Sequence, residues 1–142
     1  MKRGWWFVAI AAVVVAIAGF VFFQRRQRVV TRPLMPISQV RAPEGVRIRV
    51  QILNATKTRG LARRATVLLR DRGFDVVETG TLTQTSDSTR ILDLSGHPDW
   101  ANRIAQILAP ATVVVRPDSS RYLDIAVVLG NSWRPPAQPF NP

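Results

Sequence analysis

The single histidine of the chain, His97, stands beside Asp93, Ser95 and Asp99, the residue types from which a nucleophile, its base and an orienting acid are assembled. A triad needs an oriented base and an oxyanion pocket. Neither can be picked out here, and Ser95 to Asp99 read instead as the connection from a strand into a helix. The acidic residues are scattered, there is one histidine, and cysteine is absent; no metal-ligand spacing and no cofactor motif emerges. The expectation is a protein with no catalytic, metal or cofactor residues.

Basic residues offer more. Asn54-Ala-Thr-Lys-Thr-Arg-Gly60 joins a strand pattern to a helix pattern. At such a junction free backbone N–H groups and the helix dipole attract anions, and Lys57 and Arg59 add charge. The GxxxxGK[ST] spacing that cradles nucleotide phosphates is missing. Arg63 and Arg70, seven residues apart, fall on the helix face opposite Leu61, Ala65 and Leu68. Lys57, Arg59, Arg63 and Arg70 therefore form a candidate strip for an anionic polymer. The plainer alternative is a solvated helix face, with Asn54 shaping the turn and Thr58 capping the helix. Trp100, Tyr122 and Trp133 could stack on sugar rings or pack in the core and at its rim.

The elements that must carry these groups follow from hydrophobic period. Residues 46–53 alternate, with Val46, Ile48, Val50 and Ile52 on one face. Residues 60–72 repeat apolar positions at helical spacing, and Gly73 is a natural stop. Residues 74–82 and 89–94 read as strands. A second helix starts near Pro98, repeats Ala101, Ile104, Ala105 and Leu108, and ends at Pro110. Strands follow at 112–115 and 123–130, and the last, apolar on both faces, belongs inside a sheet. The order βαββαββ predicts an α/β (α+β) domain: a small mixed sheet with two helices on one face, of the ferredoxin-like or split βαβ type.

Outside 46–133 the composition changes. Residues 5–23, WWFVAIAAVVVAIAGFVFF, hold no charge and no amide side chain; at about 1.5 Å rise each they reach roughly 28 Å, the thickness of a bilayer's hydrocarbon core. Trp5, Trp6, Phe22 and Phe23 supply interfacial aromatics, and no small-x-small cleavage site follows. The expectation is residues 1–4 as a short flank, 5–23 as one transmembrane helix, 24–45 as a proline-containing basic linker, and 134–142 as a proline-rich disordered tail. The net charge of +11 is shared, with seven Lys/Arg against Glu44 alone before residue 47 and thirteen against eight acids from residue 47 onward. That balance favours anionic lipid, wall polymer or nucleic acid, although no nucleic-acid-binding signature is present.

The domain also resembles a known family. Val50-Gln-Ile-Leu-Asn54-Ala-Thr56, Gly60-Leu61-Ala62, Gly73-Phe74-Asp-Val76 and the closing Asp124-Ile-Ala-Val-Val-Leu129-Gly130-Asn-Ser-Trp133 are similar to the LytR C-terminal domain family over about 47–133. Ala55 stands where that family often has glycine. The resemblance implies a non-catalytic module of the bacterial cell envelope, held single-pass in the cytoplasmic membrane with the domain on the outer side. Its partners would be an anionic wall polymer or an envelope protein. The arginines after residue 23 point the other way by the positive-inside rule, to a cytoplasm-facing basic domain on nucleic acid or anionic lipid.

Overall fold

A computed structural model of the protein describes residues 27–30, 36 and 39–137. The expected span at 5–23 and the end of the tail lie outside the described residues, and no helix within them is long and apolar enough to cross a membrane. The elements are β1 (Gln27–Val30), β2 (Arg49–Asn54), α1 (Leu61–Arg70), β3 (Asp75–Thr81), β4 (Thr89–Asp93), α2 (Pro98–Ile107), β5 (Ala111–Val115) and β6 (Ile125–Leu129).

Both helices are short and neither could persist alone; each is held by one apolar stripe. Leu61, Ala65 and Leu69 of α1 and Ala101, Ile104 and Ala105 of α2 are buried in a single cluster with Val50, Ile52, Ile91, Val113 and Val127. One continuous core means that both helices cover the same sheet face, as expected. Leu108 joins that core. Gly73, at φ 84°, ends α1 in the left-handed conformation that a side chain resists.

The sheet order is β1-β5-β4-β6-β2-β3. Its mixed character and its two helices match the sequence reading, whereas the strand order is not that of a split βαβ. β2 pairs parallel with β3, and β4 pairs parallel with β5. Each helix thus links two adjacent strands, with nothing threaded between them. β6 lies between the two units, parallel to β2 and antiparallel to β4. All five of its residues are buried: Ile125, Val127 and Leu129 enter the core, while Ala126 and Val128 face the side that carries no described helix. A strand apolar on both faces gains most at the centre of a sheet, and that position separates the two units.

The stretch read as a linker is partly tied down. Gln27–Val30 adds an antiparallel edge to β5. Val40 is buried, the Ala42 N–H donates to the Arg72 carbonyl at 2.8 Å, and the Arg103 guanidinium reaches the Arg41 carbonyl. Two to four residues show no period in a sequence, so these attachments were not legible there.

Candidate functional site

The Asn54–Gly60 loop leaves the C-terminal end of β2 and is built around one amide. Asn54, nearly buried, accepts from the Thr56 N–H at 3.1 Å and the Thr56 hydroxyl at 2.8 Å, and its Nδ2 donates to the Thr58 carbonyl at 2.9 Å. The Thr56 hydroxyl in turn accepts from the Thr58 N–H. The Ala55 N–H bonds to the Leu129 carbonyl, joining the loop to β6. Ala55 is buried and keeps a negative φ; Arg121 is the one non-glycine residue with positive φ among the described residues. The family's glycine position therefore needs no left-handed backbone here. Asn54 shapes the turn as expected, but Thr58 does not cap the helix.

The cap position is Gly60, at φ 77°, and α1 begins with no side-chain cap and no acid in its first turn. The Arg64 N–H bonds to the Gly60 carbonyl, so the Leu61, Ala62 and Arg63 amides form the open end of the helix. Lys57, Arg59, Arg63 and Arg64 around that end are all exposed. Cations at the positive pole of a helix are each unfavourable by roughly 0.3–1 kcal/mol at low salt, so folding alone does not account for them. Arg70 belongs elsewhere. At the far end of α1 its guanidinium donates to the Val76 carbonyl at 2.7 Å. Of the four predicted residues, the fold gathers Lys57, Arg59 and Arg63 at one helix end and sends Arg70 to β3.

The second unit solves the same junction differently. Asp93 closes β4 as Asn54 closes β2, and it is fully buried. Its Oδ1 accepts from the N–H groups of Ser95, Gly96 and His97 at 2.9–3.2 Å and from the Ser95 hydroxyl at 3.3 Å, while Oδ2 has no partner. Asp99 adds an acid to the first turn of α2, behind Pro98. The serine hydroxyl thus serves the aspartate, and His97 Nδ1 meets Ser95 Oγ at 3.2 Å while its ring stacks on Trp100 at 3.9 Å. This is a strand-to-helix connection, as the sequence suggested. Sequence reasoning passed over Asp93 as an internal anion; its signal is an acid closing a strand four residues before His97, the residue preceding Pro98.

At this same end of the sheet an open cleft of about 740 Å³ lies among Arg49, Ser95, His97, Asp118, Arg121 and Asp124. The paired Arg49 and Asp124 form part of its wall. The Arg49 N–H and guanidinium both bond to the Asp124 carboxylate, at 2.8, 3.2 and 3.3 Å, and that bond raises the arginine's pKa. The Ser120 hydroxyl and N–H hold the Asp118 carboxyl below its ordinary range. The three aromatic residues do not form one sugar platform: Trp133 is 1% exposed, Trp100 is half-buried and Tyr122 is 65% exposed. Among the described residues no group of three or more His, Cys, Asp or Glu gathers as a metal site.

Residues 47–133, the segment containing both helix ends and the cleft, match the model of the family described as LytR cell envelope-related transcriptional attenuator. The chain belongs to the LytR C-terminal domain family. It is therefore a cell-envelope-related module, and the closing β6–Trp133 segment that carries the resemblance is the central strand and a core aromatic. No curated protein matches. Two solved structures are similar. One is the soluble domain (residues 71–217) of a conserved hypothetical secreted protein, the Rv2700 ortholog, from Mycobacterium marinum. It is 21% identical, with 72% of this chain and 71% of that one covered and a TM-score of 0.47. The other is the C-terminal domain of RV0431, 27% identical, with 72% and 88% covered and a TM-score of 0.41.

Proposed function

We propose that the protein is a non-catalytic module of the bacterial cell envelope, anchored in the cytoplasmic membrane by residues 5–23, which holds an anionic wall polymer at the N-terminal end of α1. The observation that supports this reading is the open helix end itself. It has no cap and no first-turn acid, and Lys57, Arg59 and Arg63 surround it. A phosphate or carboxylate of a polymer would accept from the Leu61, Ala62 and Arg63 amides while the side chains neutralise its neighbours along the chain. Arg70, bound to β3, lies at the margin of such a track.

The test is retention of the full chain on an immobilised poly(glycerol phosphate)-type polymer across a salt gradient. Lys57→Glu, Arg59→Glu and Arg63→Glu together reverse the local charge and should shift elution to markedly lower salt. Arg103→Glu, a reversal on α2, should leave elution nearly unchanged. Equal retention of the triple variant and the native protein would remove the polymer reading.

The arginines that follow residue 23 support a second reading, a cytoplasm-facing domain on nucleic acid or anionic lipid. A C-terminal alkaline phosphatase fusion separates the two. Activity accords with an external domain; a silent fusion accords with the cytoplasmic one.

A further inference from the structure

We infer that the end of the sheet bearing the cleft is a membrane-contact surface, seated on phospholipid headgroups through the loop from Arg116 to Tyr122. This rests on the reading of residues 5–23 as a span, and adds to it a defined attitude of the domain on the bilayer.

The argument starts from β1. Gln27 pairs with Val114 and Val30 with Ala111, so the chain enters the sheet at the C-terminal end of β5. That is the end from which Arg116 to Leu123 leave. The apolar segment closes at Phe23, and four residue steps separate Phe23 from Gln27. Fully extended, these cover about 14 Å, about twice the headgroup layer on one side of the hydrocarbon core. A domain on a free linker of twenty-two residues could tumble; one whose edge strand begins four residues past the lipid cannot move away while β1 stays paired.

The surface brought down by that geometry has the composition of a headgroup contact. Arg116 and Arg121 are exposed, and Tyr122 is 65% exposed, the most open large apolar side chain among the described residues. Arg121 holds the loop in a left-handed turn at φ 52°. Tyrosine is enriched where membranes meet water, and arginine can lay its apolar stem along the lipid while its charge stays among the headgroups. Asp118 is the one acid in the loop; its bonds to Ser120 lie within the loop. At the same end Val46 is 39% exposed, next to Arg47, whose guanidinium bonds to Asp75. The opposite end, with Lys57, Arg59 and Arg63, lies about 20 Å away along the six residues of β2 and points away from the lipid.

The absence of cysteine makes the test direct. The full chain is reconstituted into vesicles of phosphatidylcholine and phosphatidylglycerol after fluorophore labelling of single variants Val14→Cys, Thr58→Cys and Ser119→Cys. Acyl-chain nitroxide lipids should quench position 14, and headgroup nitroxide lipids should quench position 119 several-fold more than position 58. Inserting about ten Gly/Ser residues between Arg26 and Gln27 should leave position 14 quenched and should weaken quenching at position 119 while keeping it above that at position 58, because the short tether is lost and the loop's own headgroup contacts remain. Quenching at position 14 with equal, weak quenching at 119 and 58 overturns the contact surface and leaves the anchor standing. No quenching at position 14 overturns the anchor and this inference with it.

Discussion

The two βαβ units of this domain use the same parts to opposite electrostatic ends. In β4-α2-β5 the residue closing the first strand is Asp93, and its carboxylate accepts three backbone N–H groups at the entrance to the helix. The positive pole of α2 is answered from within the protein, with Asp99 assisting. In β2-α1-β3 the equivalent position is Asn54, an uncharged side chain spent on organising its own loop. The pole of α1 stays open and is surrounded by cations. One unit carries its own anion at the helix entrance; the other carries none there. Under the proposed polymer reading, one junction serves stability and the other recognition.

The contrast can be broken most severely at the seam. Gly130 follows β6, its N–H donates to the Thr89 hydroxyl, and a Cβ there would lie 2.3 Å from the Ser88 carbonyl carbon. Gly130→Ala should lower stability by about 3 kcal/mol, read as the midpoint of urea unfolding. Next is Asp93→Ala, which takes a buried, charged acceptor from three backbone N–H groups and should cost about 2–3 kcal/mol. Asn54→Ala, which removes uncharged hydrogen bonds to Thr56 and Thr58, should cost about 1 kcal/mol. Equal losses at the two positions would contradict the proposed division of roles.

A swap sharpens the comparison further. Asn54→Asp places an internal anion beside α1 and should weaken retention on the phosphodiester polymer about threefold, with the lost Nδ2 bond to Thr58 costing little more than the asparagine's own contribution. Asp93→Asn should change stability and leave polymer retention alone. Last comes Arg70→Ala, whose part-buried bond to the Val76 carbonyl predicts a stability loss of about 1 kcal/mol and unchanged elution.

Much of this was legible in the residues. The apolar stripes of α1 and α2, the stop at Gly73 and the interior place of β6 follow from hydrophobic period and backbone chemistry, which act locally. Strand neighbours do not: that β6 parts two contiguous units depends on tertiary pairing, and a five-strand βαββαββ pattern is compatible with several orders. The same holds for the attachments of Gln27–Val30 and Val40, too brief to carry a period. At the candidate site, Lys57, Arg59 and Arg63 lie near one helix end because they are close in sequence. Arg70 was grouped with them by helical spacing alone, which says nothing of the β3 carbonyl that holds it. The cleft was invisible because its walls, Arg49, Ser95, Asp118 and Asp124, meet only in the folded sheet.

The central claim is that the two helix entrances differ in their need for an outside anion. Amide chemical shifts followed by NMR during titration of the full chain with a phosphodiester polymer test it most directly. The account predicts saturable shifts at Leu61, Ala62 and Arg63, with Ser95, Gly96 and His97 unmoved because Asp93 already occupies those donors. Shifts of equal size at both entrances, or none at Leu61 to Arg63, would contradict it.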